Sequence, residues 1–73
     1  MIPSDQVLAI CRARSKELGW AFVEPVDMVE RVSWRGRRAR YEILSNSGHL
    51  GAKARFTIDA ETGAILEEGY IPR

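Results

Sequence analysis

The segment Arg35-Gly36-Arg37-Arg38-Ala39-Arg40 holds the densest chemistry in this chain, four guanidinium groups within six residues. Guanidinium forks bind the oxygens of phosphates and carboxylates in pairs, and the neighbouring Trp34 and Tyr41 offer faces on which a base stacks. The plainer alternative is a charged turn whose alternate arginines face water and pair with Glu30 or Glu42. Net charge favours the plainer account: eleven basic against ten acidic residues leave only +1 over 73 residues, far from the basic field of a strong nucleic-acid binder. Trp34, Arg35, Arg37, Arg38 and Arg40 are therefore the candidate partner-binding residues. Another protein is the expected partner, with weak nucleic-acid binding through the Arg-rich hairpin as the alternative.

Cys11 and His49 are the one pair able to supply a thiolate nucleophile and its base. Cys11 shares an apolar helix face with Val7 and Ile10, where a free thiol behaves as a small hydrophobe. His49 follows Gly48 in a loop, and no third group or oxyanion hole accompanies the pair. No catalytic residue is assigned and the chain is expected not to be an enzyme. Asp59 with Glu61, or Glu67 with Glu68, supply too few oxygens for calcium, and neighbours on a strand point to opposite faces. One Cys and one His cannot build a four-ligand zinc site. Neither metal nor cofactor is expected, and a lone cysteine forms no internal disulfide.

The elements that must position these groups are legible from periodicity. Val7, Leu8, Ile10, Cys11 and Leu18 recur at helical spacing, Ser4 or Asp5 can cap the start, and Gly19 can end it, which predicts a helix over residues 5–18. The period then falls to two. Val26, Met28, Val32 and Trp34 alternate with polar residues, Glu30 being the misfit, and Gly36 marks a turn. Ala39, Tyr41 and Ile43 form the next apolar row, and Asn46-Ser47-Gly48 a second turn. Leu50, Ala52, Ala54, Phe56 and Ile58 make the third strand, and residues 64–70 the last. Trp20 and Phe22 are placed to plug one end of the core, and the small Ala52 and Ala54 let the helix approach closely. The expected fold is α+β, one N-terminal helix packed on a four-stranded antiparallel meander (α-β-β-β-β), as a single domain over residues 1–73.

The last hairpin is the most specific stretch: Phe56-Thr57-Ile58-Asp59-Ala60-Glu61-Thr62-Gly63-Ala64-Ile65-Leu66. The Asp59 carboxylate can accept turn amides, Gly63 can take positive φ, and Thr62 can add a local hydroxyl bond. The order apolar-x-Ile-Asp-Ala-x-Thr-Gly-x-Ile-Leu resembles the closing hairpin of PepSY domains. The leading helix, the strand holding Val32 and Trp34, and Tyr41-Glu42-Ile43 are similar to that family in outline. The resemblance implies a non-catalytic binding or regulatory module, with inhibition or regulation of a peptidase as its role. A weaker likeness, to helix-plus-sheet bacterial immunity proteins, implies neutralisation of a toxin instead.

Size adds one expectation about partners. Four strands at ~4.8 Å make a sheet nearly 20 Å wide, and one helix of ~10–12 Å covers about half of it. The remainder must be covered by residues 20–25, by sheet twist or by another molecule, so a homodimer stands beside a monomer as an expectation. Residues 1–6 carry no basic, apolar leader and no run approaches ~20 apolar residues, so a cytoplasmic location without membrane contact is expected.

Overall fold

Helix α1 spans Ser4–Leu18 and starts one residue before its expected position. The capping residue is Pro3, extended at φ −71° and ψ 156°, whose carbonyl accepts the amides of Gln6 and Val7 at 3.1 Å each. Because Pro3 already receives the first helical amides, Ser4 and Asp5 are the first residues of the helix and neither caps it by side chain. Asp5 still lies at the positive end of the dipole, where its Oδ1 accepts the Gln6 amide. The other end is as expected: Gly19 is left-handed at φ 72°, its amide bonds the Lys16 carbonyl, and Trp20 reaches back to Ser15 at 2.8 Å. That pair of bonds is the Schellman motif, which satisfies carbonyls the helix leaves open.

The structure, a computed structural model, describes residues 1–32 and 38–72. After α1 come β1 (Asp27–Val32), β2 (Ala39–Leu44), β3 (Lys53–Asp59) and β4 (Ile65–Ile71), paired antiparallel in the spatial order β1-β2-β3-β4. The fold is thus α+β, one helix on a four-stranded antiparallel meander. Val7, Cys11 and Ser15, each four residues from the next, form the buried face of α1, with Leu8, Ile10 and Leu18 half-buried at its flanks. The helix lies nearest β3, where Ala54, Phe56 and Ile58 are buried, joined by Tyr41, Ile43 and Ala60. Ala54 is fully buried, in keeping with a small residue under the helix.

Trp20 and Phe22 do close one end of this core. The Trp20 ring stacks on Tyr70 with centroids 5.4 Å apart and tilts against Phe56 at 5.9 Å, while Phe22 meets Phe56 from the other side. Three expectations need correction. Strand β3 begins at Lys53, so Leu50 and Ala52 precede it. Asn46 bonds the Leu50 and Ala52 carbonyls through its side chain, and the Lys53 ammonium donates to the carbonyls of Asn46 and His49. With the loop carbonyls turned inward to these donors, Leu50 is left 100% exposed. In β1, only Met28 is even half-buried, and Val32 remains 62% exposed, because a helix centred on β3 does not reach the β1 edge. Strand β4 runs from Ile65 to Ile71, one residue later at each end than its pattern predicts.

Candidate functional site

Cross-strand register brings three arginines together on the sheet face opposite α1. Arg31 of β1 pairs directly with Arg40 of β2, and Arg40 with Asp59 of β3. Arg38 lies just before β2. Strand β4 contributes through an irregularity: Thr57 faces Glu67 but Ile58 faces Ile65, which leaves Leu66 as an inserted residue. Such a bulge re-aims side chains. The result is a shallow concavity of about 450 Å³ lined by Arg31, Val32, Arg38, Ala39, Arg40, Asp59 and Leu66.

Its electrostatics are unbalanced toward positive charge. Like charges directly opposite in an antiparallel pair are unfavourable, and Arg31 against Arg40 is such a pair. Arg31 is partly compensated by Glu42, whose Oε1 accepts from its Nε at 2.7 Å. Asp59 is the one carboxylate in the lining. Its Oδ1 accepts the amides of Glu61 at 2.8 Å and Thr62 at 3.1 Å. Those amides, with Arg38 nearby, hold the Asp59 carboxyl below its ordinary value. Among the described residues, neither Arg38 nor Arg40 makes an ion pair. An anionic group entering the concavity would meet guanidinium donors beside the exposed apolar surface of Leu66.

Of the residues singled out from sequence, the structure brings Arg38 and Arg40 into this notch. Trp34, Arg35 and Arg37 lie outside the described residues. Tyr41 does not offer a stacking face: it points to the helix side and is buried in the core. Glu42 is engaged as expected of a neighbouring acid, but by Arg31. Sequence reasoning missed Arg31, Asp59 and Leu66 as lining residues. Arg31 was within reach, since alternation puts it on the solvent face and antiparallel pairing of β1 with β2 sets it against Arg40; the Leu66 bulge had no comparable signal.

The other candidates, Asp59 apart, lie away from this concavity. Cys11 is sealed in the core, and burial pushes its thiol up to about 12, so it is protonated near neutrality. His49 sits exposed in the 45–52 loop. Asp59 organises the β3–β4 turn as its sequence implies: Gly63 takes φ 79°, its amide bonds the Asp59 carbonyl at 2.9 Å, and Thr62 Oγ1 accepts the Ala64 amide. Glu68 is bound bidentately by Arg14 of α1 at 2.9 and 3.0 Å, on the helix side, whereas Glu67 lies on the opposite face, paired with Thr57 of β3. The two carboxylates therefore point apart. Among the described residues no helix is long and apolar enough to cross a membrane. Comparison with protein-family models, curated proteins and solved structures finds no match to this chain.

Proposed function

We propose that this chain is a non-catalytic binding module of PepSY type, which engages a carboxylate-bearing segment of another protein through the Arg31–Arg38–Arg40 notch. The observation that carries the reading is the convergence of three guanidinium groups on one concavity whose single carboxylate is already engaged by turn amides. The mixed lining supports a protein ligand over a nucleic acid. Leu66, inserted at the bulge and half exposed, flanks the arginines with apolar surface, which suits an acidic side chain next to an aliphatic one. A polyanion backbone is better served by a longer basic stripe with aromatic platforms, and Glu42 and Glu67 interrupt such a stripe one row further along the sheet. The burial of Cys11 supports the non-catalytic part of the reading. On this reading the partner is a peptidase, restrained or regulated by contact with one of its acidic surface segments.

The test is selection from a random displayed-peptide library, followed by titration of the winners against the protein and its Arg38→Ala and Arg40→Ala variants. The expected consensus pairs Asp or Glu with an aliphatic residue, and each substitution weakens binding by about tenfold, the value of one charge-assisted hydrogen bond. Selected peptides without carboxylates, or affinities indifferent to both substitutions, would overturn the assignment. Tighter, equally Arg-dependent binding of a 20-nucleotide single strand would transfer the notch to nucleic acid.

A further inference from the structure

Strand β1 ends the sheet with a free edge, and its residues are exposed at every position except the half-buried Met28. Natural sheets blunt such edges with charge, because an open edge pairs with another chain. The β1 charges do not blunt it uniformly; they are ordered. We propose that β1 is a self-pairing edge, at which two copies of this chain join antiparallel, with Val29 opposite Val29 of the second copy, into one continuous eight-stranded sheet.

The register follows from geometry and charge. A two-fold axis perpendicular to the sheet keeps each face on its own side, so only residues of like parity can stand opposite one another. Centring on Val29 sets Asp27 against the second copy's Arg31 and, by symmetry, Arg31 against the second copy's Asp27. Both lie on the face opposite α1 with Val29, which is 41% exposed and would meet its own copy. On the helix face, Val32 would meet Val26, the residue just before β1, and Met28 would meet Glu30. Among the described residues Asp27 makes no ion pair, so this register supplies its partner.

Neighbouring registers fail. Centring on Glu30 puts Glu30 against itself and removes the Asp27–Arg31 opposition. Centring on Met28 puts Arg31 against Pro25, which has no amide to donate. The opposite edge, β4, carries Glu67 and Glu68 in succession, so self-pairing centred on either residue sets a carboxylate against its own copy. This inference is independent of the ligand proposed for the notch, although Arg31 borders both.

Sedimentation equilibrium on the full chain tests it, with an expected mass twice the 8.2 kDa of one chain. Asp27→Arg or Arg31→Asp creates two like-charge oppositions and weakens association by about tenfold or more, and the Asp27→Arg/Arg31→Asp double variant restores it. Circular dichroism on each variant confirms that the sheet persists. Register is tested separately by oxidative cross-linking: Val29→Cys forms a disulfide-linked dimer, since directly opposed residues lie ~4.5–5.5 Å apart, whereas Glu30→Cys does not. A monomer at several hundred micromolar, cross-linking through position 30 in place of 29, or no rescue by the charge swap in folded protein would each overturn the proposal.

Discussion

Gly63→Ala isolates how the N-terminal arm stabilises the β3–β4 turn. Gly63 sits at φ 79°, and a Cβ built there would stand 3.2 Å from Ile10 Cδ1 and 3.3 Å from Ile2 Cδ1. The left-handed conformation alone costs a non-glycine residue about 1–2 kcal/mol. Crowding two methyl ends adds about 1 kcal/mol, the low end for overpacking, because both are tips of flexible side chains. Gly19→Ala is the internal control: φ is 72°, but nothing lies within 4 Å of the added Cβ, so only the backbone cost applies. For a domain of this size, total stability is about 4–11 kcal/mol and each kcal/mol moves the melting temperature by roughly 4–8 °C. Gly63→Ala is therefore expected to melt several degrees below Gly19→Ala, measured by thermal and urea unfolding followed by circular dichroism. Adding Ile2→Ala to Gly63→Ala should cost less than Ile2→Ala alone, since the deleted methyl is the one that crowds. Equal losses in the two glycine variants, with additive behaviour of the pair, would refute the packing of Ile2 and Ile10 on this turn.

Ser15 is buried and, among the described residues, its hydroxyl has no hydrogen-bond partner, so Ser15→Ala is expected to raise stability by about 1 kcal/mol in chemical denaturation. Cys11, raised from 9.0 to about 12 by burial, makes stability fall as pH climbs: below pH 9 both states hold the proton, and between 9 and 12 only the folded state does. The slope from this group is about 1.4 kcal/mol per pH unit, and Cys11→Ala removes it from the alkaline limb of a stability–pH profile. At the acid end the sign reverses. The carboxyls of Asp59 and Glu68 are held below their ordinary 3.8 and 4.5, the first mainly by turn amides and the second mainly by Arg14. Their contribution is present in full above those values and fades as the pH falls below them, so Asp59→Asn should flatten that part of an acid titration.

The parts of the fold written in local pattern were legible. Gly19 follows a helical period that ends at Leu18, and the Schellman pair forms there without help from the rest of the molecule. The Asp59–Gly63 turn likewise depends on bonds within five residues, each assignable from residue type. Legibility fails where burial is decided at a distance. Val32 alternates as faithfully as Ile43, yet it is exposed, because α1 rests on β3 and a single helix cannot span four strands. Leu50 continues the apolar row of β3 on paper, but the Asn46 side chain and Lys53 ammonium claim the loop carbonyls and end the strand at Lys53. At the notch, the Arg-rich segment signalled guanidinium chemistry but located only part of it. Arg31 enters through cross-strand register, and Leu66 through a bulge that changes the side-chain count by one. Both are properties of strand pairing, which composition and periodicity of a single strand do not specify.

Arg31 links the two surfaces for which function is proposed. On the sheet face it stands against Arg40, a like-charge opposition that weakens the β1–β2 pair and that a bound carboxylate would relieve. At the edge it is the only cation in β1, and it is four residues from Asp27, the spacing that an antiparallel pair centred on Val29 requires. Its bond to Glu42 does not exhaust it: the Nε is engaged at 2.7 Å, while a guanidinium carries five donors. The same side chain can therefore hold Glu42 along the sheet and still meet a carboxylate from either direction. A carboxylate bound in the notch and Asp27 of a second copy draw on the same remaining donors. Were both proposed surfaces occupied in turn, filling one would lower the affinity of the other, and by linkage the effect would be reciprocal.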